Sequence, residues 1–516
     1  QPLHLFVITD GTPLDPDSIR AHGKNILWIT NGIHPGEPDG IDASLLLAQA
    51  LLESDQLMGL TVNTVVCIVP VYNVSGAQQR NSWSRPDQNG PKEHGFRGNA
   101  RNLDLNRDFT KLDSRNAQSL VSAMAYWDPD IYFEPHVSDG ADHRYLMELL
   151  TTHREQLSPS MQAFQSGPLE AGLYAWMARK EIAMCPYFET RDRIPEQGLD
   201  GFYDSPRYSS GHAGLFDRIG IVSETHVLKP FRDRVNATFQ LMLATLAVMN
   251  EHPQELRQAR LEAKRNTAAM PTLDMNWQLD TASVEQLPWK GYKGRIEKSA
   301  VTGLDRVRYD HAAPIDTLVP WRDTFRASLN EAKPIAFIVP QQWNEVIQRL
   351  ALNGVEMRTV EREVDAMVEA DSISTFTTVE QPYEGHYLHK RITGVRHRLT
   401  VRLHPGDRIV PLGKATDRYV MQVLSLRAED GFFAWNFFDA VLHQKEWFND
   451  YTFEDAAAEL LAKDPALKQA LEAKKAADPA FAQDAWEQLT FVYRHSPWME
   501  ASFRRFPVLR LVEPLP

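Results

Sequence analysis

The first half of the chain alternates short apolar runs with stretches of helical length. Residues 25–30 (NILWIT) are apolar, too short for a helix and followed by Asn31-Gly32, which predicts a buried strand. Residues 41–52 (IDASLLLAQALL) have the length and the residue types of a helix, and residues 63–71 (NTVVCIVPV) are β-branched and strand-like. Helices are further predicted over 113–126, 161–180 and 232–250, and strands over 3–8, 130–133 and 219–223. Residues 76–108 gather Gly, Asn and Arg in a long polar loop, the kind of segment that carries function or is disordered. This alternation predicts an α/β fold with a mainly parallel sheet covered on both faces.

The pattern changes after residue 250. Residues 251–287 begin as a charged helix (ELRQARLEAKRN) and continue with Thr and Pro, which reads as a helical linker. Residues 334–360 read strand–helix–strand, and residues 387–424 alternate as antiparallel strands with one wet face. Residues 453–493 are helical, with Thr452 and Asp455 in capping positions. The chain thus divides into a domain over 1–250, a linker over 251–287 and a C-terminal α+β region over 288–516. Its 516 residues agree, because domains average roughly 150 residues.

Composition then excludes several classes. With 43% hydrophobic and 24% charged residues, the chain can build real cores. Its 55 Lys+Arg against 68 Asp+Glu give a net charge of −13, which argues against a nucleic-acid partner. The most apolar helical stretch, residues 237–249, falls well short of the ~20 residues of a membrane span. Cys67 and Cys185 are too few for a disulfide framework. The chain opens on Gln1 rather than Met, so either a leader is processed away or the sequence is trimmed, and the missing Met favours a periplasmic or secreted protein.

The candidate chemistry lies at strand ends. His34 and Glu37 follow the strand ending at Thr30, and an imidazole and a carboxylate three residues apart can both turn to one zinc ion. HxxE also occurs at His252…Glu255 and His443…Glu446, so position matters more than spacing: ligands in open α/β sheets gather beyond the carboxyl ends of strands. His136 and Glu224 end two further strand-like runs, and Asn106-Arg107 closes the long polar loop. Two His and one Glu leave zinc one open position, and a second Glu can take a proton from the attacking water. Arginines can stabilise an oxyanion or grip a carboxylate bidentately. Each residue also has an ordinary reading, such as a surface ion pair between Asp104 and Arg107.

In its order of motifs, His34-Pro-Gly-Glu37, Asp104-Leu-Asn106-Arg107, a strand-end His and a strand-end Glu, the chain resembles the zinc carboxypeptidase (funnelin) family. That resemblance implies a mixed eight-stranded sheet between helices and one catalytic zinc per chain. It implies His34, Glu37 and His136 as metal ligands, Glu224 as general base, and Asn106 and Arg107 as binders of a terminal carboxylate. It further implies an oxyanion arginine, for which Arg97 is preferred to Arg101, and a mobile tyrosine, for which Tyr208 is preferred to Tyr203. The chain departs from the family pattern in having Glu134 two residues before His136, where Asp is common, and in offering His143 as a rival ligand. The specificity position is expected near residues 211–215. The activity implied is hydrolysis of an amide bond next to a free carboxylate, in a peptide or, alternatively, in an N-acyl amino acid or cell-wall peptide. A metal-free binding protein on the same fold is a third reading. In the second half, the aromatic run 432–438 reads as core or interdomain packing, and His386 and His389 as exposed strand histidines rather than a second metal site.

Overall fold

The computed structural model describes residues 2–515, so Gln1, on which the expectation of processing rests, lies outside the described residues. The strands of the first half are β1 (Phe6–Ile8), β2 (Asn25–Thr30), β3 (Thr64–Val69), β4 (Ile131–Ser138), β5 (Met147–Thr151), β6 (Met184–Pro186), β7 (Glu189–Thr190), β8 (Leu199–Asp200) and β9 (Ile219–His226). Seven of them form one sheet in the order β1-β3-β2-β4-β9-β5-β6. Neighbours from β3 to β9 run parallel, as do β5 and β6, while β1 and β5 are antiparallel to their inner neighbours. The sheet is therefore mixed and largely parallel, with seven strands among the described residues where the family resemblance implies eight.

Strand alternation sends odd and even positions to opposite faces. Leu27, Ile29, Val66, Ile68, Ile131, Phe133, Ile219 and Ile221 enter the larger core, beneath the helices Asp39–Glu53, Glu170–Arg179 and Phe231–Glu251. Ile26, Trp28, Val65, Cys67 and Tyr132 face the other way, onto the helix Arg115–Trp127. Because both faces are covered, β2 and β3 are buried at every position, which is why they are apolar throughout. On β4, β9 and β5 the second face also carries Glu134, His136, Glu224 and Glu148, with His136 opposite Glu224 and Glu224 opposite Glu148.

The stretch expected as a helical linker is helical only to Ala269, and β10 (Thr272–Leu279) follows. That helix, Pro253–Ala269, is built into the first domain: Leu256, Ala259 and Ala263 enter its larger core, and Arg260 pairs with Asp130 at 2.8 Å. Next come two long strands, β11 (Glu285–Lys298) and β12 (Asp305–Arg322), and then β13 (Phe325–Ala332), which pairs with β10. β12 continues into β8 and β7, so strands from both halves share a four-stranded sheet. A six-stranded sheet between residues 336 and 511 and three helices between residues 450 and 494 complete the chain. Residues 417–424, expected within an antiparallel strand region, form a helix that is buried at every position.

Candidate metal centre and active site

The turn after β2 brings His34 and Glu37 to one side. Gly32 has φ +62°, and a Cβ there would meet Ile41 Cδ1 at 2.9 Å, so Asn31-Gly32 must be a glycine turn. The Glu37 amide donates to the His34 carbonyl at 2.9 Å, closing the loop between the two side chains. The helix Asp39–Glu53 starts directly afterwards and rests on β4. A Cβ on Gly40 would lie 2.4 Å from Pro135 Cγ, so only glycine permits that approach.

His34, Glu37 and His136 converge, each offering a ligand atom within 4.8 Å of the others, and all three are buried. His136 Nδ1 lies 3.0 Å from Glu37 Oε2, His34 Nδ1 lies 3.3 Å from Glu37 Oε1, and the two imidazole centroids are 4.7 Å apart. The outer nitrogens have carboxylate partners. His34 Nε2 donates to Asp104 at 2.8 Å, and His136 Nε2 donates to Glu134, which also accepts from the Tyr132 hydroxyl at 2.6 Å. A carboxylate on the outer nitrogen fixes the tautomer and leaves the inner nitrogen's lone pair facing the cluster. The donor set, two inward imidazole nitrogens and one carboxylate, fits zinc. Glu134 thus does at His136 what the commoner Asp would do.

Burial opposes charge on Glu37, but His34, His136 and Arg85 hold it well below the usual carboxylate range. Burial likewise opposes protonation of His136, and the carboxylates of Glu134, Glu37 and Glu224 overcome it and push its pKa well above the usual value. Glu224 is not among the converging ligands. Burial pushes it up to about 8; Glu37 and Glu148 add to that, and His136 and Arg97 pull against it.

Around the cluster lies a cleft of about 420 Å³. Arg97, Asn106, Arg107, Tyr208 and Glu224 all line it together with the three candidate ligands. Arg97 reaches Glu37 at 3.2 Å and Asp104 at 2.9 Å, whereas Arg101 turns away to the Asp113 carbonyl. The Arg107 guanidinium stacks 4.2 Å from the Tyr208 ring centroid, and Phe202 meets that ring edge-on. Tyr203 is directed elsewhere, against His153 and Phe325. Asn106 is clamped: its Oδ1 accepts from the Ser209 amide at 3.0 Å, and its Nδ2 lies 3.3 Å from His136 Nε2.

Other expectations resolve differently. The helix Ser209–Gly214 is buried, and a Cβ on Gly211 would lie 2.1 Å from the Asp204 carbonyl oxygen. Residues 211–215 therefore do not line the cleft; Ser210, Leu150, Tyr187, Glu189, Phe202 and Val222 do. His143 does not join His34 and Glu37 but packs with Glu148 and His226 in a second buried group. His386 pairs with Asp113 at 2.7 Å and His389 with Asp439 at 3.0 Å, so the two do not converge. Phe432, Phe433, Trp435 and Phe438 are fully buried, as packing residues. Sequence reasoning missed Arg85, which donates to Glu37 at 2.9 Å and to the Val137 carbonyl at 2.9 Å. It also missed Glu384, in the second half, which accepts from the Asp104 amide at 2.8 Å. Glu134 carried a signal, an acid two residues before a strand-end His; Arg85 carried none.

Residues 1–161 match the family model of zinc carboxypeptidases, so this span is similar to a zinc carboxypeptidase domain. The matched span contains His34, Glu37, Arg97, Asn106, Arg107 and His136; Tyr208 and Glu224 lie beyond it and rest on geometry. Among solved structures, the chain is similar to a metallo-carboxypeptidase from Burkholderia cenocepacia, with 17% identity over 49% of this chain and 62% of that one, at a TM-score of 0.36. It is similar to a metallo-carboxypeptidase from Pseudomonas aeruginosa in complex with (2-guanidinoethylmercapto)succinic acid, with 16% identity over 49% and 62% and a TM-score of 0.35. The product-bound cell shape determinant protein Csd4 from Helicobacter pylori shares 16% identity over 53% and 62%, with a TM-score of 0.33. The chain thus spans less than two thirds of the length of these structures. No curated protein sequence matches it.

Proposed function

We propose that this protein is a zinc metallocarboxypeptidase that removes C-terminal residues from peptides. The observation that carries the reading is the convergence of His34, Glu37 and His136 at the floor of a cleft that also holds Glu224, Arg97 and Arg107. One zinc ion per chain is assigned to this cluster, held by His34, Glu37 and His136. Bound there, zinc supplies Lewis acidity, polarising a carbonyl and acidifying water.

The chain's own residues do the rest. Arg107 and Asn106 bind the terminal carboxylate, and Tyr208, stacked under Arg107, closes that end of the cleft. Arg97, held between Glu37 and Asp104, offers its remaining N–H groups to the oxygen on which negative charge develops. Glu224, a buried carboxylate lining the cleft beside the three ligands, accepts the proton of the attacking water and returns it to the leaving amine. Asp104 and Glu134 keep the two imidazoles oriented throughout.

The test is Glu224→Gln, with zinc content and peptide turnover measured on the same sample. Zinc is expected to stay and turnover to fall by about 10²–10⁴-fold, the usual range for a general base. Unchanged turnover removes Glu224 from the mechanism. An N-acyl amino acid also offers a free carboxylate to Arg107, so the products separate the two readings: release of an acyl group instead of a terminal residue marks the deacylase outcome.

A further inference from the structure

The second buried group lies on the same face of the sheet, one strand step further along. Ser138 and His226 follow His136 and Glu224 by two residues and stand opposite one another, and Glu148 is the register partner of Glu224 on β5. His143, from the loop after β4, completes the group. His143 and His226 are fully buried and Glu148 is 2% exposed. The three offer ligand atoms within 4.8 Å of one another, and the imidazole centroids are 4.6 Å apart.

These groups are poorly satisfied by the protein alone. His143 Nε2 lies 2.8 Å from Glu148 Oε1, but His143 Nδ1 and His226 Nε2 are buried with no partner. The remaining contact of His226 is a long one, 3.3 Å from the Leu228 amide to Nδ1. Glu148 has no cationic partner among the described residues; its other neighbour is the Ser138 hydroxyl at 3.4 Å. Buried ring nitrogens left in this state cost desolvation with no bond in return. The charged neighbours are Lys229, which donates to the His143 carbonyl, and Asp142, which lies 3.9 Å from Lys229 and 2.5 Å from His311. Asp139 and Glu224 add negative charge on the Glu148 side.

We propose that His143, Glu148 and His226 hold a second divalent ion of the zinc class. Two imidazoles and a carboxylate are zinc's ordinary donors, and an ion here would give the buried Glu148 carboxylate a cationic partner and the poorly bonded His226 ring a ligand role. Ser138 stands beside Glu148 as a further oxygen donor. A strand step of two residues is about 7 Å, longer than the ~3.5–4 Å between the metals of a two-metal catalytic site. The second ion is therefore structural. It ties β4, β5 and β9 together behind Glu224 at the point where the long hairpin of the second half docks, since His143 bridges Gly291 of β11. The total expected for the chain rises from one zinc to two.

Elemental analysis of the full chain, saturated with zinc and then desalted, tests this directly. Two zinc ions are expected in the wild type, one in His34→Ala, one in His226→Gln and none in the double variant. A wild type with one zinc, lost in His34→Ala and kept in His226→Gln, overturns the second site. Cobalt titration of the wild type serves if His226→Gln does not fold: its visible absorption should saturate at two equivalents, and at one in His34→Ala. Saturation at one in the wild type overturns the proposal. If His34→Ala keeps both ions while His226→Gln loses one, the second site stands and it is the catalytic assignment that fails.

Discussion

Two His/Glu clusters of the same composition sit one two-residue strand step apart on one face of one sheet, and their surroundings separate them. In the cluster of His34, Glu37 and His136, every outer imidazole nitrogen meets a carboxylate, and the inner nitrogens face a cleft that three arginines share. In the cluster of His143, Glu148 and His226, ring nitrogens end in the protein interior, and the imidazole of His143 is enclosed by Tyr145, Phe188 and Trp289. The first has room for a substrate and groups to hold it; the second has neither. Ligand identity alone therefore does not define a catalytic site. Outer partners and access do.

The largest expected effect separates the clusters by activity. His34→Ala or His136→Ala should cost at least about 10³-fold in peptide turnover, the several kcal/mol that Lewis acidity supplies. His143→Gln should stay within about tenfold of wild type in a steady-state assay, and the comparison breaks if the two kinds of variant fall equally. Next come the outer partners: Glu134→Gln and Asp104→Asn should each weaken zinc binding at the first cluster by about 10–100-fold, measured by chelator competition. Arg107→Ala should lower kcat/KM on a free-acid peptide by roughly 10–100-fold, mainly through KM, because hydrogen bonds to charged groups contribute about 1.5–3 kcal/mol. The same variant should change little on an amidated peptide.

The smallest effect concerns the frame that both clusters share. Burial raises Asp113, but the hydrogen bond and charge of His386 and the charge of Lys111 hold it at about 2, below its ordinary 3.8. A depressed carboxyl stabilises the fold fully above its unfolded value, and the contribution is lost as the pH falls through 2. Asp113→Asn should therefore lower the unfolding free energy by about 2 kcal/mol at pH 7. In denaturant titrations the gap from wild type should close as the pH drops from 4 towards 2.

The parts of the fold that the sequence made legible are those whose physics is local. Residues 25–30 and 64–69 are buried on both faces, so their side chains are apolar without interruption. Ile219–His226 was legible only to Ser223, because Glu224, Thr225 and His226 are polar residues on a strand that continues into the site. The long strands β11 and β12 were not legible: both faces are largely exposed, and Pro288, Pro314 and Pro320 interrupt any strand pattern. At the site, HPGE and DLNR were readable because each motif is contiguous. Arg85 reaches Glu37 across 48 residues, and Glu148 reaches the second cluster only through the register that sets it opposite Glu224, so neither leaves a local trace. The helix Pro253–Ala269 looked like a linker because its exposed face is highly charged, while a few small and apolar positions hold it to the core.

The central claim is that the cleft over His34, Glu37 and His136 removes residues from the free carboxyl end of a peptide. Its most direct test is to incubate the zinc-loaded protein with one peptide as the free acid and as the C-terminal amide, and to identify the products by mass spectrometry. The account predicts stepwise release of C-terminal amino acids from the acid and a rate at least about tenfold lower for the amide, the loss of one charge-assisted carboxylate contact. Equal rates on both peptides, or cleavage at internal bonds, would contradict it.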